Sequence, residues 1–200
     1  MHRNLFNPEG GHGFTALELL LSIAVGLTMI GVAVPMTASA LDGMRAGMAA
    51  RYLQARIMDA RMQALRRSTS VGLRFEAING EYRFAEYVDG NGNGIRTADI
   101  AARLDTELLP RQYLRDHFAG VSFGLLANIP DLDGARANVD VDGVRIGASR
   151  ILTLGSDGTS SSGTLYVHGR RAQYAVRVLG ATGRTRLLRF EPGVRQWIAQ

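Results

Sequence analysis

Residues 14–41 form a run of 28 with a single ionisable side chain, Glu18. As a helix rising about 1.5 Å per residue, the run is roughly 42 Å long, enough to cross a bilayer core of about 30 Å. A charge inside such a segment costs about 2.5–3.5 kcal/mol at the centre and less near an end. Glu18 lies near the end, so its cost is softened but not removed. A carboxylate kept in this position calls for a partner, or else for snorkelling to the interface.

The flanks separate three readings of this run. A secretory signal peptide has a basic start, a 7–15-residue apolar stretch and a small-residue cleavage site, for which Ala38-Ser39-Ala40 would serve. The run is too long for that class, and Glu18 does not suit it. A plain membrane anchor accounts for the length but not for the short polar leader that ends in Gly11-His12-Gly13. The leader carries Arg3 and Glu9, so basic charge fixes no orientation.

Gly13-Phe14-Thr15-Ala16-Leu17-Glu18-Leu19-Leu20 resembles the cleavage and methylation motif of type IV prepilins and pseudopilins. The resemblance implies a leader, residues 1–13, removed by a prepilin peptidase that cuts after Gly13 and then methylates the amine of Phe14. It also implies a transmembrane and assembly helix over residues 14–41. Glu18 would face the N-terminal amine of a neighbouring subunit, a pair worth far more at low dielectric than at a surface. Pro35, in a region that loosens on assembly in pilins, becomes a candidate hinge. The N-terminus would be cytoplasmic and the C-terminal domain periplasmic, in the bacterial inner membrane and then in a filament.

Composition sets the rest of the frame. Removing the run leaves about 130–160 residues for one further domain, and 46% hydrophobic residues are ample for a core. The absence of cysteine excludes disulfides and thiolate metal sites. All 23 basic residues are arginine, and they are unevenly spread. Residues 42–75 hold seven Arg against two acids, residues 76–142 six against twelve, and residues 143–200 nine against two. A basic final third suits an anionic partner such as nucleic acid, lipid headgroups or an acidic subunit face. Scattered solubilising arginines are the alternative.

Apolar periodicity continues the helix as an amphipathic segment over residues 42–67. Met44, Met48, Ala55, Met58, Met62 and Leu65 fall on one face at 100° per residue, which predicts that the domain sits on that stripe. The period then changes. Residues 71–75 and 81–87 read as strands joined by Asn79-Gly80, a strong hairpin turn. Residues 99–117 read as a short helix over 100–108 followed by loop. Strands at 121–126, 150–154, 164–168, 173–179 and 184–190 bring the total to about seven. The expected class is α+β: a long N-terminal helix on an antiparallel sheet domain over residues 68–200.

The second half carries its own resemblance. Leu154-Gly155-Ser156-Asp157-Gly158-Thr159, Ser162-Gly163-Thr164-Leu165-Tyr166 and Gly183-Arg184-Thr185-Arg186 are similar to the GspH/FimT branch of pilin-like proteins. These are minor subunits of type II secretion pseudopili or type IV pili. Members with the Gly-Arg-x-Arg pattern bind DNA for uptake, which makes Arg184 and Arg186 candidate nucleic-acid ligands. Two apart on a strand, they share a face. Arginines that pair with acids or cover a sheet edge are the preferred alternative.

Asp89-Gly90-Asn91-Gly92-Asn93-Gly94 has the spacing of a calcium loop. Asp89, Asn91 and Asn93 would be ligands, with Asp99 beside the twelfth position, where Ile100 replaces the usual Glu. One firm charge predicts weak affinity at best, and a metal-free Asn/Gly turn is the preferred reading. No cofactor is otherwise implied. His2, His12, His117 and His168 lack metal-ligand spacing, and Asp131, Asp133, Asp140 and Asp142 form an acidic stretch rather than a dyad. No nucleophile elbow or phosphate loop is present, so an enzyme is not expected.

The expectation is therefore a minor pseudopilin of a type II secretion system, with a DNA-binding minor type IV pilus subunit as the alternative. Its partners would be other pilins, the prepilin peptidase and methyltransferase, the inner-membrane assembly platform, membrane lipid and, in the alternative, DNA.

Overall fold

The computed structural model describes residues 14–133 and 143–200. The cut site Gly13 and the acids Asp140 and Asp142 lie outside the described residues. Two compact units divide the chain, Met1–Ser39 and Ala40–Gln200, and one helix, α1 (Ala16–Arg67), contributes to both. In the first unit α1 is apolar apart from Glu18 and a few hydroxyls and is exposed nearly throughout, with Leu17 at 78% and Met29 at 70%. It is long and apolar enough to cross a membrane.

The second unit is α+β. After α1 come β1 (Val71–Ile78), β2 (Glu81–Val88), α2 (Thr97–Ala101), β3 (Thr106–Tyr113), α3 (Leu114–His117) and β4 (Ser122–Phe123). The remaining strands are β5 (Val144–Arg145), β6 (Ile151–Leu154), β7 (Gly163–His168), β8 (Gln173–Leu179), β9 (Arg184–Glu191) and β10 (Gln196–Ala199). One sheet runs β3-β2-β1-β6; the other runs β10-β9-β8-β7-β4, with β5 also on β7. Every pairing is antiparallel. Asn79 and Gly80 close the first hairpin with φ of 51° and 80°, the left-handed pair that a two-residue turn demands.

The helix face that meets the sheets is not the methionine stripe. Met44, Met48, Met58, Met62 and Leu65 are 42–61% exposed, and Ala55 is exposed too. The buried face is Ala46, Gly47, Ala49, Ala50, Leu53, Ile57, Ala60 and Ala64. Its spacing of three and four is helical, but five of its eight residues are alanine, which a hydrophobicity pattern barely registers. The sheets supply the bulk instead: Leu73, Phe75, Phe84, Leu165, Val167, Tyr174 and Val176 fill the same core. Small residues on the helix let these large ones interdigitate at native density.

Residues 99–117 also differ from expectation. They give α2 and then strand β3, paired to β2 with register shifts beside Glu86. Pro110 signals a loop, yet β3 is an edge strand, where a missing N–H leaves no ladder bond unmade. β5 and β10 add to the strands expected, and 121–126 shortens to β4. A satellite cluster of Ala85, Tyr87, Ile95, Ile100 and Ile151 lies beside the main core.

One fully buried acid joins helix to sheet. Glu86 on β2 accepts from Arg56 Nη2 at 2.6 Å and Gln63 Nε2 at 2.7 Å. Burial pushes its carboxyl above the ordinary value, and the Arg56 guanidinium opposes that rise.

Candidate functional site

Three places bear on function, beginning with the start of α1. Thr15 caps the helix: its Oγ1 accepts from Glu18 N at 3.2 Å, and its carbonyl accepts from Leu19 N at 3.1 Å. Thr15-Ala16-Leu17-Glu18 thus has the spacing of a capping box, and Glu18 sits in the first turn, where the helix dipole favours an anion. Phe14, just outside the helix, is 82% exposed. Glu18 makes no ion pair among the described residues, whereas Ser22, Thr28 and Thr37 return their hydroxyls to carbonyls of α1 itself. The helix continues through Pro35, whose missing N–H leaves the Gly31 carbonyl without its usual donor.

The second place is the β8–β9 hairpin. Gly183 holds φ at +60° and donates to Leu179 O at 2.8 Å, closing the turn. Thr185 Oγ1 then accepts from Gln54 Nε2 of α1 at 3.1 Å, and Leu187 enters the core. Alternation puts Arg184 and Arg186 on the opposite face, both exposed and without an ion pair among the described residues. Across the sheet, Arg186 is opposite Arg177, Arg177 opposite Thr164, and Thr164 opposite Arg145. Arg145 pairs closely with Asp131, and Arg177 with Asp133 at 3.0 Å. Two of the three arginines in this row are therefore neutralised, which leaves the charge on Arg186 and on Arg184 beside it.

The third place is the loop after β2. Asp89 is buried, and its carboxylate accepts from the backbone N–H of Asn91, Gly92 and Gly94 at 3.1, 2.8 and 2.7 Å. Asn91 Oδ1 accepts from Asn93 N at 3.2 Å. Asp89 and Asn91 thus turn acceptors onto the loop's own amides. Asp99 sits in α2, not in the loop. Asp105, which sequence spacing does not reveal, holds the other side by accepting from Gly90 N and Arg96 N at 3.4 and 3.1 Å. Among the described residues, no three His, Cys, Asp or Glu side chains converge to hold a metal.

Sequence reasoning also passes over Asp42. Its Oδ1 accepts from Arg170 N at 2.7 Å, and its Oδ2 from Arg171 N at 2.9 Å and Ala172 N at 3.2 Å. Burial alone would raise this carboxyl, but the three backbone donors and the Arg170 charge outweigh it and hold it below the ordinary value. The signal lies in structure alone, since 128 residues separate Asp42 from Arg170.

Comparison with family models, characterised proteins and solved structures finds no match.

Proposed function

We propose that this chain is a minor pilin-like subunit, stored in the membrane through residues 14–41, cut after Gly13 and assembled into a filament through α1. The observation that carries the reading is the part of α1 in the first unit: an exposed, membrane-length apolar helix whose capped first turn holds one carboxylate without an ion pair among the described residues. A chain that only needed an anchor would gain by losing that charge. An amine freed at Phe14 in a neighbouring copy supplies the missing cation. The machine proposed is the type II secretion pseudopilus, with the inner-membrane assembly platform and other pseudopilins as partners. The reading rests on the resemblance of Gly13-Phe14-Thr15-Ala16-Leu17-Glu18 and of the C-terminal motifs. Replacing Glu18 with Leu should leave the chain in the membrane and remove it from sheared filaments. Recovery of Glu18→Leu in filaments at the native level overturns the intersubunit pair.

A second reading, a DNA-binding pilus subunit, is favoured by one observation. The Gly183-Arg184-Thr185-Arg186 turn is anchored to α1 through Thr185 while it projects two guanidiniums that make no ion pair among the described residues. Arginine suits phosphate through its planar fork. Under this reading Arg184→Ala with Arg186→Ala weakens duplex binding across all sequences and lowers the salt slope by about two. A native chain that ignores DNA at low salt removes it.

A further inference from the structure

Asp42 is the first ionisable residue after the apolar run, and the turn between β7 and β8 closes on it. Leu41, Asp42 and that turn all belong to the second unit. Tyr174 Oη adds a bond to Gly43 O at 3.4 Å, so the turn is held on the first helical residues past the run. The turn presents Arg170 and Arg171, and α1 presents Arg45 one helical turn beyond Asp42; all three are exposed. None of the three makes an ion pair among the described residues. Asp42 is the acid at this point, and its oxygens are taken by three backbone N–H groups. It forms no ion pair with the three guanidiniums among the described residues, although the Arg170 charge helps to keep it ionised.

We propose that Arg45, Arg170 and Arg171 form a binding surface for anionic lipid headgroups at the edge of the membrane that residues 14–41 would cross. The proposal rests on the membrane-spanning reading and is independent of which side the second unit occupies. Guanidinium forks match phosphodiester oxygens, and basic side chains beside a membrane helix are the usual signature of anionic lipid. Backbone groups bind Asp42, so the arginine side chains are free to reach outward without unfastening the turn. The surface would hold the second unit against the bilayer while the chain is stored there, and would release it when the helix leaves lipid.

The test uses the full chain in neutral detergent, offered equal amounts of phosphatidylglycerol and phosphatidylcholine with matched acyl chains, and read by native mass spectrometry. The expected result is retention of phosphatidylglycerol by about fivefold or more over phosphatidylcholine. Arg170→Gln with Arg171→Gln and Arg45→Gln should abolish that preference. Arg184→Gln with Arg186→Gln, on the other basic turn, should keep it. Circular dichroism reports whether each variant is folded, and glutamine retains the backbone donors to Asp42. Equal retention of the two lipids overturns the proposal alone, as does a triple variant with native preference. Retention of neither lipid overturns the membrane-spanning reading and this proposal with it.

Discussion

A single carboxylate at position 42 fastens the turn at Gly169–Ala172 to the helix through three backbone donors, with the Arg170 charge adding to them. The sign of its pH dependence follows from its lowered value. A depressed carboxyl stabilises fully above its unfolded value and loses that contribution as pH falls through the folded value. Asp42→Asn should therefore cost about 1–2 kcal/mol at neutral pH, discounted for partial exposure, and almost nothing in strong acid. Urea melts of the full chain at both pH values check this; a deficit that persists unchanged in acid contradicts the charged clamp. Glu86 has the opposite sign. Its raised carboxyl makes ionisation a burden as pH rises, which Arg56 and Gln63 offset.

At the scale of elements, the two faces of α1 exchange the roles that apolar periodicity gives them. Methionine dominates a hydropathy stripe, but alanine is what packs, because the sheets bring the large side chains and leave little room. Volume, not hydrophobicity, decides that contact, and volume complementarity is invisible until the partner surface exists. Ala60→Leu should thus destabilise by about 1–3 kcal/mol or more through overpacking, while Met58→Ser with Met62→Ser stays within about 0.5 kcal/mol per site. The reverse order in chemical denaturation would restore the methionine face as the packed one. The hairpin at Asn79-Gly80 and strands β7, β8 and β9 are legible because local turn chemistry and alternation agree. β3 is not, since Pro110 and an irregular register hide an edge strand inside a loop-like segment.

For the whole molecule, the α+β class and the length of α1 are legible in sequence, because both rest on long periodic signals. The candidate sites divide differently. Arg184 and Arg186 share a solvent face as their spacing requires, but their anchoring to Gln54 is a tertiary fact. The Asp89 loop has ligand spacing, and the Asp89 carboxylate also accepts from three of the loop's own amides, an internal bonding pattern that spacing does not encode. Glu18 carries two physical readings at once, a capped first turn within one chain and half of a pair between chains. The central claim is that the second half of that pair is made by a cut after Gly13. The intact mass and N-terminal fragment spectrum of the chain taken from its own membranes test this most directly. The expected result is a chain that starts at Phe14 with one methyl group on its amine. A chain that retains residues 1–13, or one that starts at Leu41, contradicts it.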